Sequence, residues 1–92
     1  MIYKAKGSFV VLNENGLHTR PSTEIVKCAA HFTSEIHLRY RGYVVNAKSI
    51  LGLLMLTAKE GARIRVEVVG EDAEDALQAL LALAQRKFNV IS

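Results

Sequence analysis

The chain has 92 residues, half of them hydrophobic and 23% charged, a balance that excludes a disordered polyelectrolyte and fits one folded domain over residues 1–92. Twelve Lys and Arg against nine Asp and Glu leave a net charge of +3, spread along the chain with no basic stripe. Nucleic acid is therefore not an expected partner; the charge reads as a solvated, mildly basic surface whose field could favour docking onto acidic partners. No apolar run reaches the roughly 20 residues of a membrane-spanning helix, and none long enough for a signal peptide follows Lys4 and Lys6, so a cytoplasmic protein without membrane insertion is expected.

The first β-rich segment is Ser8 to Leu12, followed by the polar turn Asn13-Glu14-Asn15-Gly16. Pro21 suits the first turn of a helix, where its missing N–H costs nothing. Along that helix Ile25, Val26, Ala29 and Phe32 mark a buried side, and Glu24, Lys27 and His31 a wet one. Cys28, the single cysteine, forms no disulfide framework and reads as a packed helical residue.

Glu35 to Tyr40 alternates cleanly, with Ile36, Leu38 and Tyr40 on one face and Glu35, His37 and Arg39 on the other. Arg41-Gly42 turns this strand into Tyr43-Val44-Val45, a hairpin. Asn46 is the expected N-cap of a short helix running through Leu54, with Ser49 in its first turn. After Gly61 a further strand points Ile64, Val66 and Val68 inward and Arg63, Arg65 and Glu67 outward.

Glu71, Asp72, Glu74 and Asp75 place four carboxylates at the start of the last helix, where they complement its dipole. Its core stripe is Ala73, Ala76, Leu77, Leu80 and Ala84, extended to Phe88. The predicted order is β-α-β-β-α-β-α. Each strand has one apolar and one polar face, which makes an α+β open-faced sandwich: a four-stranded antiparallel sheet with helices on one face.

Among candidate chemical groups His18 stands out, between a loop glycine and a helix start. Free backbone N–H groups and the positive end of the helix dipole attract anions there. Histidine is a competent covalent nucleophile, in general partly neutral at physiological pH. A phosphoryl group on His18 could be held by the N–H groups of Thr19 and Arg20, with the Arg20 guanidinium as a planar fork for its oxygens. From chemistry alone a capping or surface histidine is the more ordinary role. His31 and His37 have no zinc-like spacing, so no metal is expected, and no Gly-rich phosphate cradle or other cofactor motif is present.

Gly16-Leu17-His18-Thr19-Arg20-Pro21 closely resembles the active-site signature of the histidine-containing phosphocarrier (HPr) family of the bacterial phosphoenolpyruvate-dependent sugar phosphotransferase system. Val45-Asn46-Ala47-Lys48-Ser49-Ile50-Leu51-Gly52-Leu53-Leu54-Met55-Leu56 resembles that family's regulatory serine segment, and the similarity runs on through Lys59-Glu60-Gly61 to Asp75-Ala76-Leu77. The resemblance implies a monomeric stoichiometric carrier, not an independent enzyme. His18 matches the histidine that takes a phosphoryl group on Nδ1 from the system's first enzyme and delivers it to sugar-specific second components, and Arg20 matches the arginine that supports it. Thr19 and Ser22 stand where the family commonly has alanine.

Ser49 aligns with a serine that a dedicated kinase/phosphorylase modifies in many members, making that enzyme a further expected partner; a plain polar helix-start residue is the alternative. The apolar run from Ile50 to Leu56 exceeds what one buried face can use, so Leu51 and Leu54, with Lys48, are expected to form a docking spot beside His18 and Arg20. Two other roles fit the residues less well. One is the nitrogen-related branch of the same system, suggested by Leu53 to Leu56 and opposed by Lys48-Ser49-Ile50. The other is a regulatory module acting through phospho-Ser49, opposed by the presence of His18.

Overall fold

The computed structural model describes residues 2–91. Four strands and three helices follow the predicted order: β1 Tyr3–Val10, α1 Thr19–Ala29, β2 Glu35–Tyr40, β3 Tyr43–Asn46, α2 Ile50–Met55, β4 Arg63–Gly70 and α3 Ala73–Gln85. The strands form one antiparallel sheet in the order β1-β4-β2-β3. Period-two alternation decides its faces. Ala5 and Phe9, Ile36 and Leu38, and Ile64, Val66 and Val68 are buried against the helices. Fully burying one such Ile, Leu or Phe contributes about 1.5–3 kcal/mol, so a slip of one residue in any strand would be ruinous. From the helices come Ile25 and Ala29 of α1, Leu53 of α2, and Ala76, Leu77, Leu80, Leu83 and Ala84 of α3.

β1 begins five residues earlier than expected, at Tyr3, because Lys4 and Lys6 pair with Val69 and Glu67 of β4 and turn their side chains to the wet face. The strand also stops at Val10. Val11 is held instead by its N–H to the Ala62 carbonyl at 2.9 Å and by its carbonyl, which accepts from Gly61 N–H at 2.8 Å; Leu12 is left exposed.

Asn46 does not cap α2. It belongs to β3, in register with His37, and its Oδ1 accepts the Lys48 N–H at 2.8 Å in a tight turn. Ser49 is the true N-cap, its hydroxyl accepting Gly52 N–H at 3.1 Å. The strand ladder has taken the residue that local propensity offered to the helix.

The start of α3 is likewise shifted. The helix begins at Ala73, so only Glu74 and Asp75 lie in its first turn. Asp72 precedes it and its carboxylate looks away from the helix, accepting the Thr33 N–H at 2.9 Å, the Ser34 N–H at 3.0 Å and the Ser34 hydroxyl. This clasp ties the loop after α1 to the start of α3. Gly70 makes room for it: a Cβ there would lie 2.3 Å from Ser34 Oγ. Phe88 is buried as expected, but not on the helix. After Gln85 the chain reverses through Lys87, Phe88 and Asn89, all at φ between +54° and +58°, and this left-handed turn drives the Phe88 ring edge-on against Phe9 at 5.7 Å.

The three donors on Asp72, led by the Ser34 hydroxyl, lower its pKa to about 2. A carboxylate depressed in the folded state adds stability above its ordinary range near 3.9, and that stability is lost as pH falls toward the folded value. Asp72→Asn should therefore be less stable than wild type at pH 6, and the gap should close between about pH 4 and pH 2 in urea unfolding; parallel profiles would show that the clasp is not a charge-assisted one.

Candidate phosphoryl site

The site is built on the link between β1 and α1. Gly16 N–H donates to the Asn13 carbonyl at 3.0 Å, closing a turn that sets Gly16 at φ +69°. A Cβ on Gly16 would lie 2.3 Å from the Ala58 carbonyl oxygen, so glycine is required both by the conformation and by the approach. The next amide, Leu17 N–H, donates to that same carbonyl at 2.9 Å, and the Leu17 side chain is buried. Asn13 is itself buried and its Nδ2 donates to the Lys87 carbonyl at 3.0 Å, pinning the loop to the left-handed turn after α3.

His18 then falls at the N-cap of α1, extended at φ −73° and ψ −171°, with its carbonyl accepting Ser22 N–H at 3.0 Å. Its imidazole caps nothing and is exposed. The first helical N–H groups have no earlier turn to bond to, and Pro21 has no N–H at all, so Thr19 and Arg20 present two donors beside the imidazole. The Arg20 side chain is exposed and makes no hydrogen bond or ion pair among the described residues. Asn15, Gly16, His18, Thr19, Arg20 and Pro21 line one open depression of about 480 Å³. Ser22 is excluded from it: the side chain is fully buried and its hydroxyl donates to the Leu17 carbonyl at 3.2 Å.

The expected docking residues do not all gather there. Lys48 Nζ donates to the Phe32 carbonyl at 2.8 Å, just past the C-terminal end of α1. An 11-residue helix is about 15 Å long, so Lys48 and Arg20 sit at opposite ends of α1 and do not ring one spot. On α2, Leu51 is 69% exposed and Leu54 is half-buried, while Met55 at 59% and Ile50 at 39% are exposed although neither was singled out. A six-residue helix with one fully buried position, Leu53, leaves these side chains to solvent. Cys28 is half-buried, and burial pushes its thiol pKa up against the opposing charge of Arg86, so it is not an activated thiolate. His31 is exposed just beyond α1, and His37 lies on the wet face of the sheet, neither near His18 in the fold.

A small open-faced sandwich thus exposes a histidine, unengaged among the described residues, beside two helix-start amides, a geometry able to receive an anion. Residues 5–86 match the family model described as the PTS HPr component phosphorylation site. The chain is 42% identical over 80 residues to the phosphocarrier protein HPr of Xylella fastidiosa, covering 87% of this chain and 90% of that protein. It is similar to the crystal structure of HPr-C-His from Thermoanaerobacter tengcongensis, with a TM-score of 0.90 and 33% identity over 96% of this chain and 99% of that one. It is also similar to a crystal structure described as an HPr dimer from the same organism, with a TM-score of 0.74 and 36% identity over 87% and 92% of the two chains. The chain belongs to the HPr family of phosphocarrier proteins of the phosphotransferase system. No helix among the described residues is long and apolar enough to cross a membrane.

The Gly16 contact allows a direct test. Gly16→Ala forces a non-glycine residue into the left-handed region and against a backbone oxygen, so it should lose roughly 1–3 kcal/mol in urea unfolding. Amide shifts at Leu17 and His18 should move with it; an unchanged unfolding midpoint would mean the loop is not held by Ala58.

Proposed function

We propose that His18 is the phosphoryl acceptor and that the Thr19 and Arg20 amides, with the Arg20 side chain, hold the transferred group. The observation that carries this is an exposed imidazole with no partner among the described residues, fixed at the N-cap of an 11-residue helix beside two N–H groups that are likewise unbonded among them. A neutral ring nitrogen attacks phosphorus as the bond to the donor breaks, and the negative charge on the phosphoryl oxygens then meets the amides and the guanidinium. In the second transfer the acceptor's nucleophile attacks, the His18 N–P bond breaks, and the neutral imidazole is returned. The donor is the first enzyme of the system, charged by phosphoenolpyruvate, and the recipients are sugar-specific second components.

The exposed Leu51, Met55 and Ile50 give those partners an apolar contact small enough to release quickly. Regulation at Ser49 fits the same surface. The hydroxyl is a half-buried cap adjoining Ile50 and Leu51, and a phosphate of about −1.5 to −2 charge there would repel an acidic partner docking on α2.

Incubation with labelled phosphoenolpyruvate and the first enzyme should put acid-labile label on the wild type and none on His18→Ala; label that survives the substitution would sink the assignment. Arg20→Gln should keep the label and slow transfer by roughly tenfold or more, less than a buried oxyanion donor because the site is wet. With ATP and the serine kinase, acid-stable label should appear and be absent from Ser49→Ala, whereas equal label on both would remove Ser49 from the account.

A further inference from the structure

The wet face of the sheet, opposite the helices, carries a second concentration of charge. Arg39 of β2 stands directly across from Arg65 of β4 in the strand register, and Ser8 of β1 flanks Arg65 on its other side. Arg63 lies two residues along β4 on the same face, about 6.6–6.8 Å away along the strand. The β2–β3 turn adds Arg41, and these four arginines, with Tyr40 and Tyr43, surround one depression of about 250 Å³ that no carboxylate and no lysine lines. They are four of the chain's six arginines; the others are Arg20 and Arg86.

Like charges directly opposed across a sheet are destabilising, and here little offsets them. Arg39 Nε donates to Glu67 Oε1 at 3.0 Å, and Arg63 Nη1 to the Ser8 hydroxyl at 3.3 Å. Arg41 lies over the Tyr40 ring at 5.3 Å, and Arg65 makes no hydrogen bond or ion pair among the described residues. A solvated face would disperse such charges or use lysine. Guanidinium groups instead offer planar forks that match phosphate oxygens two at a time and never lose their charge.

We propose that this arginine-lined depression is a binding site for a small soluble ligand carrying two or more linked phosphoryl groups. Its compactness selects that class. Along the same face Arg65 is followed on β4 by Glu67 and Val69, and Arg39 is preceded on β2 by His37 and Glu35, so the arginines end within two strand positions. Lys6 and Lys4 continue on β1, but Lys6 stands opposite Glu67 and Lys4 opposite Val69. A polynucleotide would want a continuous basic track, which this face lacks. The site lies on the other side of the sheet from α1 and α2, so it is independent of the His18 assignment.

Inorganic tripolyphosphate is the probe, followed by calorimetry and by amide shifts of the full chain at 50 mM salt. Shifts should centre on Arg39, Arg41, Arg63 and Arg65, and orthophosphate should bind at least tenfold more weakly. The Arg39→Gln/Arg65→Gln double variant should lose tenfold or more in affinity, while Lys4→Gln/Lys6→Gln, which removes the same net charge from the same face, should stay within twofold. The proposal falls if the two double variants lose affinity equally, or if the shifts centre on Thr19 and Arg20. It falls equally if a polyglutamate peptide or a single-stranded oligonucleotide binds more tightly than tripolyphosphate, which would make the face a macromolecular contact.

Discussion

The carbonyl of Ala58 receives the Leu17 amide and leaves no space for a side chain on Gly16. The geometry of the site hangs on that meeting of two loops. It lies at the end of the sheet where β1 has just finished and β4 is about to begin, so the sheet fixes both loops independently. With Leu17 anchored in this way, α1 starts at Thr19 and His18 is its N-cap. The buried Ser22 hydroxyl reinforces this by bonding back to the Leu17 carbonyl. A hydroxyl that departs from the family's usual alanine thus serves the scaffold beneath the histidine.

What the scaffold produces is an unusual cap. N-cap residues are normally small and polar because their side chains accept the orphan N–H groups of the first turn. At this position an imidazole stands outside the helix and leaves the Thr19 and Arg20 amides for something else. Pro21 at the third position removes a donor that would otherwise need satisfying. A site of this kind can hold an anion with backbone already in place, yet stays open to water on one side. Such openness suits a group that must be received and given away: deep burial would strengthen the electrostatics and slow both transfers.

Much of this was legible in the sequence where a single period governs. The alternation of β2 and β4 and the apolar stripes of α1 and α3 each reported a buried face, because one packing interaction dominates there. His18 and Arg20 were legible through the motif and its position before Pro21. Tertiary competition hid the rest. Lys4, Lys6 and Gly7 looked unlike a strand until β4 supplied their partners. Asn46 was as good a cap as Ser49 until pairing with His37 claimed it. Asp72 offered its carboxylate to Thr33 and Ser34, which lie almost forty residues away in sequence, and nothing local announces such a bond. Lys48 looked like a neighbour of the site because its motif was read beside the His18 motif, but its ammonium reaches the far end of α1. The arginines on the wet face were visible one strand at a time, and only the register brings Arg39 and Arg65 together.

The most direct test of the central claim concerns the two amides, not the histidine alone. With uniformly labelled protein phosphorylated by phosphoenolpyruvate and the first enzyme, the Thr19 and Arg20 amide protons should move strongly downfield and exchange more slowly, with the remaining backbone of α1 little changed. If His18 carries the phosphoryl group while those two amides neither shift nor gain protection, the helix start does not hold the transferred group, and the account of why the histidine sits there is wrong.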